Sequence, residues 1–258
     1  VTRAAGPRRA IGYALGAALI AAGVGVALLG AVSLFRLLAR LPAEDWFALA
    51  RALGLTALRV LLALAVALVW TIPLGLWIGR SRRVARVLQP LVQLAASFPA
   101  PMLYPFVVPR LRELGAPPDL VAAGLMMLGT AWYVLFNVAA GAAATPLALR
   151  EAAAVFRLPP LRRFVLLDLA ALLPFLATGL VTAAGGAWNA SIVAESVAYP
   201  GGAFEVDGVG AWIARAFAHG DHPRLAAATV ALAAALVTIN RVCWKPLQRT
   251  AAVRFAAR

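Results

Sequence analysis

Long apolar runs separated by short charged segments organise this chain, and neither strand alternation nor a one-sided helical stripe accounts for them. The runs lie near 11–34, 56–78, 87–108, 120–141, 164–193 and 225–243. Each approaches the roughly 20 residues that a helix needs to cross a hydrocarbon core about 30 Å thick. The pattern predicts about six transmembrane helices in an all-α, polytopic membrane helix bundle. The first run, from Ile11 to about Leu38, is too long for a signal-peptide core and is followed by no clear small-x-small cleavage site, so it reads as a retained span. Pro99, Pro101, Pro105 and Pro109 crowd the end of the third run. Proline lacks a backbone donor and clashes with the preceding turn, so this span should be broken or kinked. Lipid tolerates a broken backbone only beside protein or a water-filled cavity, which argues for a multi-helix bundle; a simple re-entrant turn at the outer surface is the alternative.

Composition sharpens this picture. Charged residues make up 13% of the chain against 63% hydrophobic, with a mean hydropathy of +0.87; soluble domains carry about twice that charge fraction. The net charge of +14 could suggest nucleic acid, but the basic residues fall in short runs between apolar stretches rather than on one face of a soluble fold. Their distribution follows the positive-inside rule. Counted with the N-terminus inside, sixteen of the 24 lysines and arginines lie on one side, while Glu44, Asp45, Glu113, Asp119, Glu195, Glu205, Asp207 and Asp221 lie on the other. Both termini are therefore expected in the cytoplasm, which requires the even number of spans counted above. Cys243 is the only cysteine, which excludes an intrachain disulfide and a cysteine metal site. The only lysine is Lys245 and no G-x-x-x-x-G-K-[ST] phosphate loop occurs, so this chain is not an ATPase and no catalytic residue is assigned. His219, Asp221 and His222 are too few and too close to surround a metal ion, and no metal site is expected.

Polar residues recur inside the spans. Gln89, Gln93 and Ser97 share one face of the third; Gly129, Tyr133, Asn137 and Gly141 share one of the fourth; Thr178, Thr182, Gly185 and Asn189 share one of the fifth. Such stripes serve close helix packing or line a polar path. The path candidates are Ser97, Trp132, Asn137, Thr182, Trp188, Asn189 and Ser191. Asp168 is the acid expected nearest a span, relieved at the interface by nearby Arg162 and Arg163.

The loop at 142–163 is the most informative segment. Thr145 suits an N-cap and Pro146 a first helical position, and the following residues to Phe156 read as a short helix stopped before Pro159 and Pro160. Leu149, Ala152, Ala153 and Phe156 share one side at i, i+3, i+4 and i+7, with Arg150, Glu151 and Arg157 supplying charge. This is a surface helix suited to a soluble partner or to the membrane interface.

Here a resemblance becomes specific. Glu151, Ala152 and Ala153, with Leu167 and Leu169 downstream, resemble the EAA loop of binding-protein-dependent ABC importer permeases; Arg157 stands where that pattern has Gly, and Ala170 where it has Pro. Further likeness lies in Leu91-Val-Gln-Leu-Ala-Ala-Ser-Phe-Pro-Ala, in the segment from Leu128 to Val138, in Thr178 to Glu195 and in Ile239-Asn-Arg. These stretches are similar to the anion-type permeases of the nitrate, sulfonate and taurine group, whose members are often duplicated, with two permease halves in one chain.

The resemblance implies a type I importer-like permease in the bacterial inner membrane, one domain over 1–258, with a coupling loop at 142–163 and an outer loop at 195–224. Leu149, Arg150, Glu151, Ala152, Ala153, Phe156 and Arg157 would seat on an ABC ATPase subunit, two copies per transporter. ATP and Mg would be bound by that partner and no cofactor by this chain. A second permease subunit or half, identical or homologous, and a substrate-binding protein would complete the assembly, delivering a small solute, expected to be an anion. An ion-coupled secondary transporter or a non-transporting membrane scaffold is the alternative. The first would place ionisable groups near the bilayer centre and show internal repeats.

Overall fold

A computed structural model describes the backbone of residues 7–255 and the side chains of 15–251. The chain runs α1 (Pro7–Leu38), α2 (Ala43–Arg80), α3 (Arg82–Ser97), a 3-10 turn (Ala100–Leu103), α4 (Tyr104–Glu113) and α5 (Pro118–Ala144). There follow α6 (Leu147–Val155), α7 (Pro160–Arg163), a π turn (Phe164–Asp168) and α8 (Leu169–Ala194). A hairpin of β1 (Ser196–Tyr199) and β2 (Gly202–Glu205) leads to α9 (Val209–Ala218), α10 (His222–Ile239), a second π turn (Asn240–Trp244) and α11 (Lys245–Phe255). Among the described residues five helical segments are long and apolar enough to cross a membrane, and six when the broken pair α3 and α4 is counted as one span. The all-helical membrane class is borne out, with five to six candidate spans against the six expected and a short hairpin added.

The proline-rich break falls where the sequence places it. α3 ends at Ser97, Phe98 and Pro99 are extended, and the following helical segment turns away by 75°. The Tyr104 hydroxyl donates to the Leu125 carbonyl at 2.9 Å and holds the second limb against α5. The bend therefore sits beside protein.

The core is a three-helix layer with α5 between α2 and α8. Val60 and Leu64 of α2, Leu125, Met126, Val134 and Val138 of α5, and Leu172, Ala183 and Trp188 of α8 are all buried in one cluster. Small residues let the axes approach. A Cβ on Gly79 would collide with the Ala139 carbonyl and lie 2.6 Å from Ala142 Cβ, and one on Gly179 would lie 2.9 Å from Asn137 Cβ. α1 is different: none of the residues in its apolar window is buried. A helix apolar on all sides and unburied is solvated by lipid or a partner helix.

Three boundaries differ from expectation. α2 begins at Ala43 rather than near 56, because Glu44, Asp45 and Arg51 lower the hydropathy of its first turns without interrupting the helix. The last span continues through its π turn into α11. The outer loop is built rather than open: Pro200 and Gly201 join the two strands, and Gly201 has φ 90°, the left-handed value a turn of this kind reserves for glycine.

Candidate functional site

α6 forms a short helix between α5 and α7. The expected cap is corrected. Pro146 holds the N-cap position with no side-chain bond, and the Thr145 hydroxyl instead donates to the Gly141 carbonyl at 3.3 Å, closing α5. Proline supplies no donor, so its place at the start of a helix leaves nothing unpaired. The far end is a Schellman motif: Leu158 N–H donates to the Ala153 carbonyl at 3.1 Å and Arg157 N–H to the Ala154 carbonyl at 3.0 Å. That motif requires a left-handed residue, and Arg157 has φ 47°. The geometry explains why the EAA pattern has Gly at this position.

Only Ala153 of α6 is buried; Leu149, Glu151, Ala152 and Phe156 are exposed, Phe156 by 76%. Arg150 donates to the Ala142 carbonyl rather than pairing with Glu151, and so ties the helix back to the end of α5. The helix is tied to α5 through Arg150, held by buried Ala153, capped at its far end and otherwise bare along its apolar side.

The path candidates separate. Trp188 and Ser191 are buried inside the chain; Ser191 donates to the Trp188 carbonyl at 2.7 Å, so both serve packing rather than an open surface. Trp132 stacks edge-on to Trp70, with ring centroids 5.9 Å apart. Ser97, Thr182 and Asn189 are exposed and Asn137 is half-buried. Gln89 and Gln93, with Arg86, line an open cavity of about 560 Å³ faced by Phe136.

Two ion pairs were not expected, one buried on both sides and one joining a buried carboxylate to a partly exposed arginine. Near the hairpin, fully buried Glu195 accepts from Thr56 Oγ1 and Arg59 Nη1, both at 2.8 Å, and from Gly210 N at 2.8 Å. Arg59 also donates from Nε to Asp119 at 2.7 Å, and Thr56 accepts from Val209 N at 2.9 Å. α9 therefore takes its N-terminal caps from other elements. A side chain at Gly208 would meet the Glu195 carboxylate. At the opposite end of the bundle Asp168 is buried and pairs with Arg80, not with Arg162 or Arg163 as expected. Arg59 and Arg80 are 21 positions apart on α2, about 32 Å along a helix. The two pairs thus bracket one hydrocarbon thickness. Sequence reading placed Glu195 in an outer loop; a carboxylate directly after an apolar span, with arginine in another span, was the available signal.

No cluster of three or more His, Cys, Asp or Glu suited to a metal occurs among the described residues. Asp221 caps α10 by accepting from Arg224 N at 3.0 Å, and His219 bonds the Arg215 carbonyl.

A family model described as binding-protein-dependent transport system inner membrane component matches residues 71–242, from the second half of α2 to the last π turn. The chain belongs to that family. The permease is thus a multi-pass inner-membrane component of an ABC transport system that works with an ATPase and a binding protein, and neither carries the ATPase nor binds a cofactor itself. This decides against the secondary transporter and the scaffold. No curated protein matched the permease in a sequence search.

Proposed function

We propose that α6 is the helix through which the ATPase drives this permease, that it faces the cytoplasm together with both termini, and that the solute is a small anion. The observation that carries the reading is the bare apolar side of α6, tied to α5 through Arg150 and flanked by charge. Leu149, Ala152 and Phe156 seat on the partner, Arg150, Glu151 and Arg157 fix the register, and Ala153 holds the helix to the bundle. Two ATPase copies act on this chain and a second permease subunit or half, identical or homologous. A solute-loaded binding protein docks at the opposite end, on the 195–224 segment.

The anion assignment is supported by Arg86, Gln89 and Gln93, which bring a cation and two amide donors to one cavity lined by no carboxylate. Ser97, Asn137, Thr182 and Asn189 continue a route of neutral polar groups, with Trp132 at its side; the Ser97 and Thr182 hydroxyls donate to carbonyls of their own helices and offer acceptor oxygens unless they rotate. The single domain spans 1–258.

The test is the double variant Glu151→Lys with Ala152→Asp in proteoliposomes. Binding-protein-stimulated ATP hydrolysis is expected to be lost while membrane insertion is retained; undiminished stimulation would refute the coupling role. Labelling of Glu151→Cys by an impermeant maleimide from outside intact cells would refute the orientation. Uptake of a cation or a neutral sugar, without competition from nitrate or sulfate, would refute the anion.

A further inference from the structure

The base of α6 connects to the bundle through stiff and charged parts. Beyond the Schellman turn, Pro159 and Pro160 pass without backbone donors into α7, where Arg163 N–H closes on the Pro159 carbonyl at 2.9 Å. The π turn Phe164–Asp168 follows. A π turn carries an extra residue in its ring and is a common site of shift within a helix. At its end stands Asp168, a buried carboxylate whose salt-bridge partner is Arg80 at the last position of α2. Leu76 and Arg80 of α2, Leu158 and Pro160 of the loop, and Phe164 and Asp168 of the π turn enclose a cavity of about 250 Å³. Arg163 also lines this cavity, and its Nε has no hydrogen-bond partner. The space is roomy and polar enough for water. The pair can therefore shift without being pulled apart.

We infer that Arg80 and Asp168 are positioning residues for transport: their ion pair transmits displacement of α6 to α2, and through α2 to the helices packed on it. Asp168 is buried and Arg80 is partly exposed; parting them would strand the carboxylate in the interior without its cation, so the two groups move together. Pro159 and Pro160 push on the π turn, Asp168 moves with it, and Arg80 draws the end of α2 along. α2 is in close contact with α5 at Gly75 and Gly79, immediately before Arg80. A motion begun at the ATPase thus enters the three-helix core at its tightest seam. This rests on the assignment of α6 as the coupling helix.

The experiment uses the complex purified with its ATPase and placed in nanodiscs. Cys243 is replaced by Ser, and spin labels are attached at Leu58→Cys on α2 and Val237→Cys on α10, both exposed positions. The distance between them is measured with and without ATP and vanadate. The parent is expected to change distance on trapping. Asp168→Asn, nearly the same shape, is expected to lose that change while the ATPase still co-purifies and still traps nucleotide. The reversed pair Arg80→Asp with Asp168→Arg is expected to restore it. Should Asp168→Asn fail to accumulate, Arg80→Gln reads the same loss from the other side. A full distance change in the neutralised variants, no change in the parent, or no recovery on reversal overturns the transmission role. Failure of the underlying assignment is read separately. If Glu151→Lys with Ala152→Asp still couples normally to the ATPase, α6 is not the coupling helix, whatever Asp168→Asn does.

Discussion

Loss of the Glu195 carboxylate should open the hairpin end of the permease without unfolding its core. Glu195 is completely buried and joins α2, α8 and α9 by bonds of 2.8 Å from Thr56, Arg59 and Gly210 N. Removing one member of a buried pair costs about 3–5 kcal/mol. The lower figure applies to Glu195→Ala, because Arg59 keeps Asp119 at 2.7 Å and its charge is not stranded. About 3 kcal/mol corresponds to roughly a hundredfold rise in the open population. Amides of Val209–Ala218 should therefore exchange with deuterium about a hundredfold faster in nanodiscs, while those of α5 remain protected. Arg59→Met strands a buried carboxylate that has no second cation among the described residues and should cost more than Glu195→Ala. The double variant should cost less than the sum of the singles by about 1–3 kcal/mol. Strictly additive effects, or unchanged exchange in α9, would refute the reasoning.

Two further substitutions test the packing and the turn. Gly79→Ala should lower the unfolding free energy by about 1–3 kcal/mol, because its Cβ meets Ala139 and Ala142; Gly54→Ala, with nothing within 4 Å, should raise it by about 0.5–1 kcal/mol. Tryptophan fluorescence during denaturation reads both, and equal effects would remove the seam from the account. Arg157→Gly should relieve the left-handed strain at φ 47° by about 1 kcal/mol, slowing amide exchange at Leu158 roughly fivefold; faster exchange there would contradict the Schellman assignment.

The sequence made the membrane class, the span count, the proline break and the existence of α6 legible, because each depends on local composition over a turn or more. Pairing was not legible. Glu195 meets Arg59 across 136 positions and Asp168 chooses Arg80 over neighbouring Arg162 and Arg163, since the antiparallel return of α8 brings the end of α2 to it. The hairpin had a signal in Pro200 and Gly201, read only as part of a long outer segment. Trp188 and Ser191 were path candidates beside open Thr182 and Asn189, yet burial by neighbouring helices decided their place. Thr145 had the right chemistry for a cap, but Pro146 occupied the position.

Because α6 lends only Ala153 to the interior, its outward residues are under almost no obligation to the fold. The other positions can be rewritten as a cassette, provided Ala153, the Arg150 tie to Ala142 and the left-handed exit at 157 are kept. On the coupling role proposed for α6, a graft of the remaining positions of Leu147–Val155 from a related transporter should redirect this membrane subunit to a different motor, making motor choice separable from what is carried.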